Sequence, residues 1–134
     1  MRSTMSEDVD ADAVLDHIIN LDERYPRQAY CFVMDALKHT TTTLPVRRHV
    51  SGQELSMGIR EYAIQQFGIG VQLIFQQWGI KGTRDFGEIV FNMVNGGLMR
   101  KTDEDNLSDF DDVFDFKTEF ETNFEIKVDK SRLS

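Results

Sequence analysis

The stretch Ile89-Val90-Phe91-Asn92-Met93-Val94-Asn95-Gly96-Gly97-Leu98-Met99-Arg100-Lys101 changes its period at its two glycines. Before them, Phe86, Ile89, Val90 and Met93 recur at helical spacing, with Val94 at the margin of the stripe. Thr83 stands where a helix cap is expected, and Gly96-Gly97 is a natural stop. After them, Leu98 to Thr102 reads as extended chain. Asp103-Glu104-Asp105-Asn106 is turn material, and Phe110 to Phe116 alternates as a returning strand. The expectation is therefore a fifth helix followed by a small β-hairpin.

Working toward the N-terminus, Val71, Ile74, Phe75 and Trp78 make a short fourth helix that ends at Gly79. The third helix has the clearest start. Ser51-Gly52-Gln53-Glu54 is a capping box, and Val50 and Leu55 flank it as a hydrophobic staple. Leu55, Ile59, Tyr62, Ala63 and Phe67 form its stripe, and Gly68 is its stop. The second helix starts at Pro26 and buries Ala29, Tyr30, Val33, Ala36 and Leu37. The run Thr40–Thr43 is expected to end it, because β-branched residues are weak helix formers. The first helix runs from Asp10 to Tyr25, with Val14, Ile18, Leu21 and Tyr25 on one stripe and Leu15 and Ile19 widening it.

The fold class is thus mainly α (α+β): about five helices and a C-terminal β-hairpin, with helices three to five in winged-helix order. Residues 1–9 are expected to be disordered, 10–125 to form one domain, and 126–134 to be a tail. Phe116, Phe120 and Phe124 fit a short helix over 116–123, while Phe124, Ile126 and Val128 alternate like a strand.

Composition bounds the rest. Hydrophobic residues make up 40% of the 134, ten of them Phe, enough for a core without metal or disulfide. The single cysteine, Cys31, lies in an apolar run and reads as a small buried hydrophobe. The N-terminal residues have no apolar signal region, and no window is apolar enough to span a membrane. A cytoplasmic protein without a membrane partner is expected. The net charge of −8 is uneven. Residues 1–23 carry seven acids and one Arg, residues 24–102 ten bases and five acids, and residues 103–134 eleven acids and four bases. A mildly basic middle lies between acidic flanks, which bears on partners rather than on fold.

Candidate chemistry is sparse. In a winged helix the recognition helix enters the major groove and the wing touches the backbone. Arg84, Arg100 and Lys101 would then be the phosphate contacts. Asp85 and Glu88 share the same helix face, and the hairpin turn carries three acids, so nucleic acid is disfavoured. Arg47, Arg48 and His49 form a second basic patch beside the third helix, a docking point for an acidic group or phosphate. Glu54 competes there for the same donors. The acid-dense segment 103–115 lacks the central Gly and alternating ligands of a calcium loop. Gly68-Ile69-Gly70 follows a helix and reads as a tight turn rather than a dinucleotide loop. His17, His39 and His49 have no metal-ligand spacing. No catalytic set, metal site or cofactor is expected, although sites assembled in space leave no linear motif.

Several strings together carry a resemblance: Arg24-Tyr25-Pro26-Arg27-Gln28-Ala29-Tyr30, His49-Val50-Ser51-Gly52-Gln53-Glu54-Leu55, Gln66-Phe67-Gly68, Trp78-Gly79, Asp85-Phe86-Gly87-Glu88-Ile89-Val90-Phe91-Asn92, Gly97-Leu98-Met99 and Asp109-Phe110. Over roughly residues 10–125 the chain resembles a family of short proteins largely confined to the Planctomycetes and Verrucomicrobia. That family carries no assigned activity, so the resemblance implies a bacterial, cytoplasmic protein and no site residues. The leading expectation is a non-enzymatic interaction or adaptor module with a protein partner. A nucleic-acid-associated winged helix is the second, and a small enzyme with a spatially assembled site the third.

Overall fold

Asp10 accepts a hydrogen bond from the backbone N–H of Ala13 and so caps the first helix, α1 (Ala11–Leu21). The structure, a computed structural model, describes residues 1–3, 10–46 and 48–122, apart from the side chains at 3, 121 and 122. Four further helices follow: α2 (Arg27–Thr42), α3 (Gly52–Phe67), α4 (Val71–Gln77) and α5 (Thr83–Gly96). A small β element comes after them, so the described residues are mainly α, with five α-helices as the periodicity implied.

α1 is shorter than its apolar stripe suggested. Asp22 turns extended, the helix ends at Leu21, and Leu21 points to solvent at 75% exposure. Tyr25 is buried, but from the turn that follows and not from the helix. α2, by contrast, runs through the threonine run to Thr42. Thr40, Thr41 and Thr42 donate their hydroxyls to the carbonyls of Ala36, Lys38 and His39, so these side chains bond back along the helix. Thr40 is buried against Gly58 of α3, where any Cβ would overlap its hydroxyl.

The capping box at Ser51 is present in both directions, and Val50 and Leu55 are both buried. α3 stops at Gly68 (φ 54°), and a 3-10 turn, Gly68–Gly70, passes the chain to α4. Phe32, Tyr62, Phe67, Phe75 and Trp78 pack ring on ring between α2, α3 and α4. At the end of α5, Gly97 adopts φ 89°, and the N–H of Leu98 reaches back to the carbonyl of Met93. This is a Schellman closure, and it drops Leu98 into the core.

Beyond Leu98 the hairpin is replaced by another pairing. Strand β2 (Met99–Arg100) is antiparallel to strand β1 (Arg2–Ser3), with Arg2 opposite Arg100 and Ser3 opposite Met99. Residues 1–3 are therefore part of the fold, contrary to the disorder expected for 1–9. Met1 is buried and exchanges backbone hydrogen bonds with Val50. Residues 4–9 and 126–134 lie outside the described residues.

The segment expected as a returning strand, Phe110 to Phe116, is instead turn and irregular chain that follows a 3-10 turn, Leu107–Phe110. Thr83 explains the difference. It does not cap α5, whose cap position is Gly82; its buried hydroxyl donates to the carbonyl of Phe110 and accepts from the N–H of Val113. The winged-helix order of α3, α4 and α5 thus has a short strand after it, but among the described residues no wing hairpin. The phenylalanine spacing near the C-terminus does give a short helix, Lys117–Thr122, of π type, and Phe116 and Phe120 pack on Phe75. Phe124, Ile126 and Val128 lie outside the described residues.

Two glycines should separate packing from propensity. A Cβ on Gly87 would lie 2.8 Å from the Phe110 ring and 2.9 Å from Leu107, whereas one on Gly70 would meet nothing. Gly87→Ala is expected to lose about 1–3 kcal/mol in urea unfolding despite its helix-propensity gain. Gly70→Ala is expected to be neutral or slightly stabilising.

Candidate functional site

Polar groups gather in two places, and the first lies over α5. Asp22 accepts the N–H of Arg24 and clasps its guanidinium, at 2.7–3.1 Å. Arg24 spans to Glu88 of α5 at 3.2 Å and lies over the Tyr25 ring. Tyr25 donates its hydroxyl to Asp85, whose other oxygen accepts the N–H of Lys81. Asn92 donates to Asp22 and to the Tyr30 hydroxyl. Arg84 bridges Glu88 and Asp111, at 3.4 and 2.8 Å.

Most of the α5 face that the sequence offered to a groove is therefore tied down by the 22–25 turn. Asp85, Glu88 and Asn92 are half-buried in this lattice. The Arg24 hydrogen bond holds the Asp22 carboxyl well below the usual range. Burial, reinforced by the hydrogen bond to Asp85, pushes the Tyr25 phenol up, so it stays protonated and acts as a donor. Every carboxylate here already accepts a hydrogen bond. The lattice fixes the turn to the helix.

The second gathering surrounds the two-residue sheet. Arg48 grips both oxygens of Glu54 at 2.9 and 2.6 Å and also reaches the carbonyl of His49. The Arg48 side chain and the Ser51 N–H hold Glu54 down to about 2. His49 has a buried Nδ1 with no hydrogen-bond partner among the described residues. Burial lowers its pKa, and the Met1 amine and Arg2 lower it further. The Met1 amine donates to the carbonyl of Val50 at 2.6 Å and lies 3.6 Å from Asp105. Arg2 and Arg100 face each other across the strands, and Lys101 follows. Of the six residues singled out from the sequence, His49, Arg100 and Lys101 thus come to one region, with Arg48 adjoining. Arg84 belongs to the lattice over α5, and Arg47 lies outside the described residues.

Arg2 was missed because it stood in a polar N-terminal run with nothing local to tie it to the fold. The acids at 105, 109 and 115 turn inward to the backbone. Each accepts an N–H three residues away on its own turn, from Thr102, Asn106 and Thr118 respectively. Among the described residues no group of three or more His, Cys, Asp or Glu is placed to hold a metal ion. Cys31 is half-buried, and burial pushes its thiol up, away from the thiolate a nucleophile needs.

No protein-family model matches the chain, and no curated protein or solved structure is significantly similar to it.

A third surface also went unread. Ile69 and Leu73, one turn apart at the α4 corner, are 74% and 61% exposed. From Tyr62 to Ile80 the sequence carries no charged residue, a signal that was available in the sequence. Among the described residues no helix is long and apolar enough to cross a membrane.

The depressed Glu54 carboxyl gives a pH test with a definite sign. In the acid range the unfolded chain binds the proton more readily, so this stabilisation is present above about pH 4.5 and is lost as pH falls toward 2. Glu54→Gln should cost under about 1 kcal/mol near neutral pH, since the pair is substantially exposed. The gap from wild type should close in urea unfolding below pH 3.

Proposed function

We propose that this chain is a non-enzymatic protein-interaction module whose docking surface is the uncharged corner of α4. The supporting observation is the exposed Ile69–Leu73 pair within a stretch, residues 62–80, that holds no charge in a chain where 28% of residues are charged. A single exposed aliphatic residue needs no explanation. Two neighbours in a stretch of chain without charge resemble the centre of a protein interface, where charged residues are depleted. The partner that fits is another folded protein presenting an apolar, uncharged surface. Nucleic acid does not fit this corner, because its affinity rests on cations that the corner lacks.

The nucleic-acid alternative has Arg2, Arg100 and Lys101 in its favour. Against it stand the tie of Arg84 to Asp111 and Glu88 and the covered face of α5. The enzyme reading has little support, since the densest polar cluster spends its groups on one another. A cytoplasmic location belongs to the same proposal. The lone Cys31, which has no internal disulfide partner, fits reducing surroundings. Kinship with the short planctomycete and verrucomicrobial proteins also belongs to it and rests on the strings quoted above.

A photo-reactive benzoylphenylalanine at Leu73, in cells that carry the protein, tests the reading. It should yield a discrete protein adduct, absent from the same probe at exposed Lys38 and lost when Ile69→Glu is added. Absence of a protein adduct, or one that Ile69→Glu leaves unchanged, would overturn it.

A further inference from the structure

The two-residue sheet places Arg2 directly opposite Arg100. Met99 is buried, so by the alternation of a strand Arg100 faces solvent, and Arg2 is likewise exposed. Directly opposed side chains in an antiparallel pair have Cβ atoms roughly 4.5–5.5 Å apart, and like charges so placed oppose the pairing. Among the described residues, Arg24, Arg27, Arg48, Arg60 and Arg84 each hold a carboxylate. Arg2 and Arg100 form no ion pair there. The two described arginines without an ion pair among the described residues are thus the two that the fold sets against each other.

The register that does this is fixed from both ends. Met1 is buried and bonded to Val50, and Met99 is buried behind Arg100. A slip by one residue would bring Met99 to the surface. Other polar groups nearby do not quench the pair. Asp105 accepts the N–H of Thr102 and faces the Met1 amine, and Glu54 is held by Arg48. Lys101 adds a third cation, whose ammonium, among the described residues, reaches the carbonyl of Thr102. The His49 Nδ1, unpartnered among the described residues, lies in the same region.

We propose that Arg2 and Arg100 form a clamp for a phosphate monoester. Two guanidinium forks offer paired donors to oxygen acceptors, and a phosphate presents three acceptor oxygens and close to two negative charges at neutral pH. One dianion can neutralise both arginines at once. A carboxylate occupies one fork and leaves the other uncompensated. This site is independent of the apolar corner at α4, and either can fail without the other.

Calorimetric titration of the full chain with phenyl phosphate tests the clamp, with benzoate at matched ionic strength as the carboxylate control. Phenyl phosphate should bind saturably and raise Tm, while benzoate should not. Arg2→Gln and Arg100→Gln should each weaken binding about tenfold or more, and Arg27→Gln, remote from the sheet, should leave it unchanged. Circular dichroism keeps the variants interpretable. Removing one of two opposed like charges should leave the unliganded Tm at or above that of wild type. A short peptide carrying phosphoserine separates the sources. Tighter binding than phenyl phosphate assigns the phosphate to a polypeptide, and equal binding to a small molecule. No saturable response to phenyl phosphate, or a response that Arg100→Gln leaves intact, would overturn the proposal.

Discussion

The seating of Phe110 between α3 and α5 is the contact on which the arrangement depends. Its ring fills the space left by Gly52 in the first turn of α3 and by Gly87 in α5, where added Cβ atoms would come within 2.8–3.1 Å of Asp109, the ring or Leu107. The Thr83 hydroxyl takes the Phe110 carbonyl at 2.6 Å and so turns a packed side chain into a fixed backbone position. The N–H of Val113 completes the tie. The chain beyond β2 is held by these contacts, and this is why it cannot extend into a strand beside β2. Phe114, Phe116 and Phe120 follow onto Phe86 and Phe75, so the aromatic core is closed from the C-terminal side.

Charge is handled locally over most of the described surface. Arg27 takes the acids Asp12 and Asp16 of α1, Arg48 takes Glu54, Arg60 takes Glu119, and Arg24 and Arg84 share Glu88. Five of the ten bases in the basic middle read from the sequence are therefore compensated by neighbouring acids. Among the described residues Lys38, Lys81, Arg100 and Lys101 form no ion pair, and of these Arg100 and Lys101 sit at the sheet or directly after it.

The legible parts of this fold are those written in a few adjacent residues. The Ser51–Glu54 box, the stop at Gly68, the break at Pro26 and the drop of Leu98 into the core all follow from interactions within about one turn. The features that could not be read depend on distant chain. Asp85, Glu88 and Asn92 look like an open helix face until the 22–25 turn is laid over them. Thr83 has the form of a cap, and only the approach of Phe110 gives its hydroxyl another use. Arg2 belongs to a polar run whose pairing with Arg100 leaves no trace in local pattern. The candidate site was legible in its parts, as His49, Arg100 and Lys101, while the residue that gives it a geometry was not.

The pairing of β1 with β2 also sets an order of events. Its two strands lie near opposite ends of the helical body in sequence, with all five helices between them. On a chain made from its N-terminus, β1 has no strand partner until α5 and the Gly97 turn have emerged. Long-range pairing of this kind carries a loop-closure cost that local helix contacts do not. The helices therefore have every chance to associate first, and the sheet, with Met1 seated behind it, becomes the latch that records their completion.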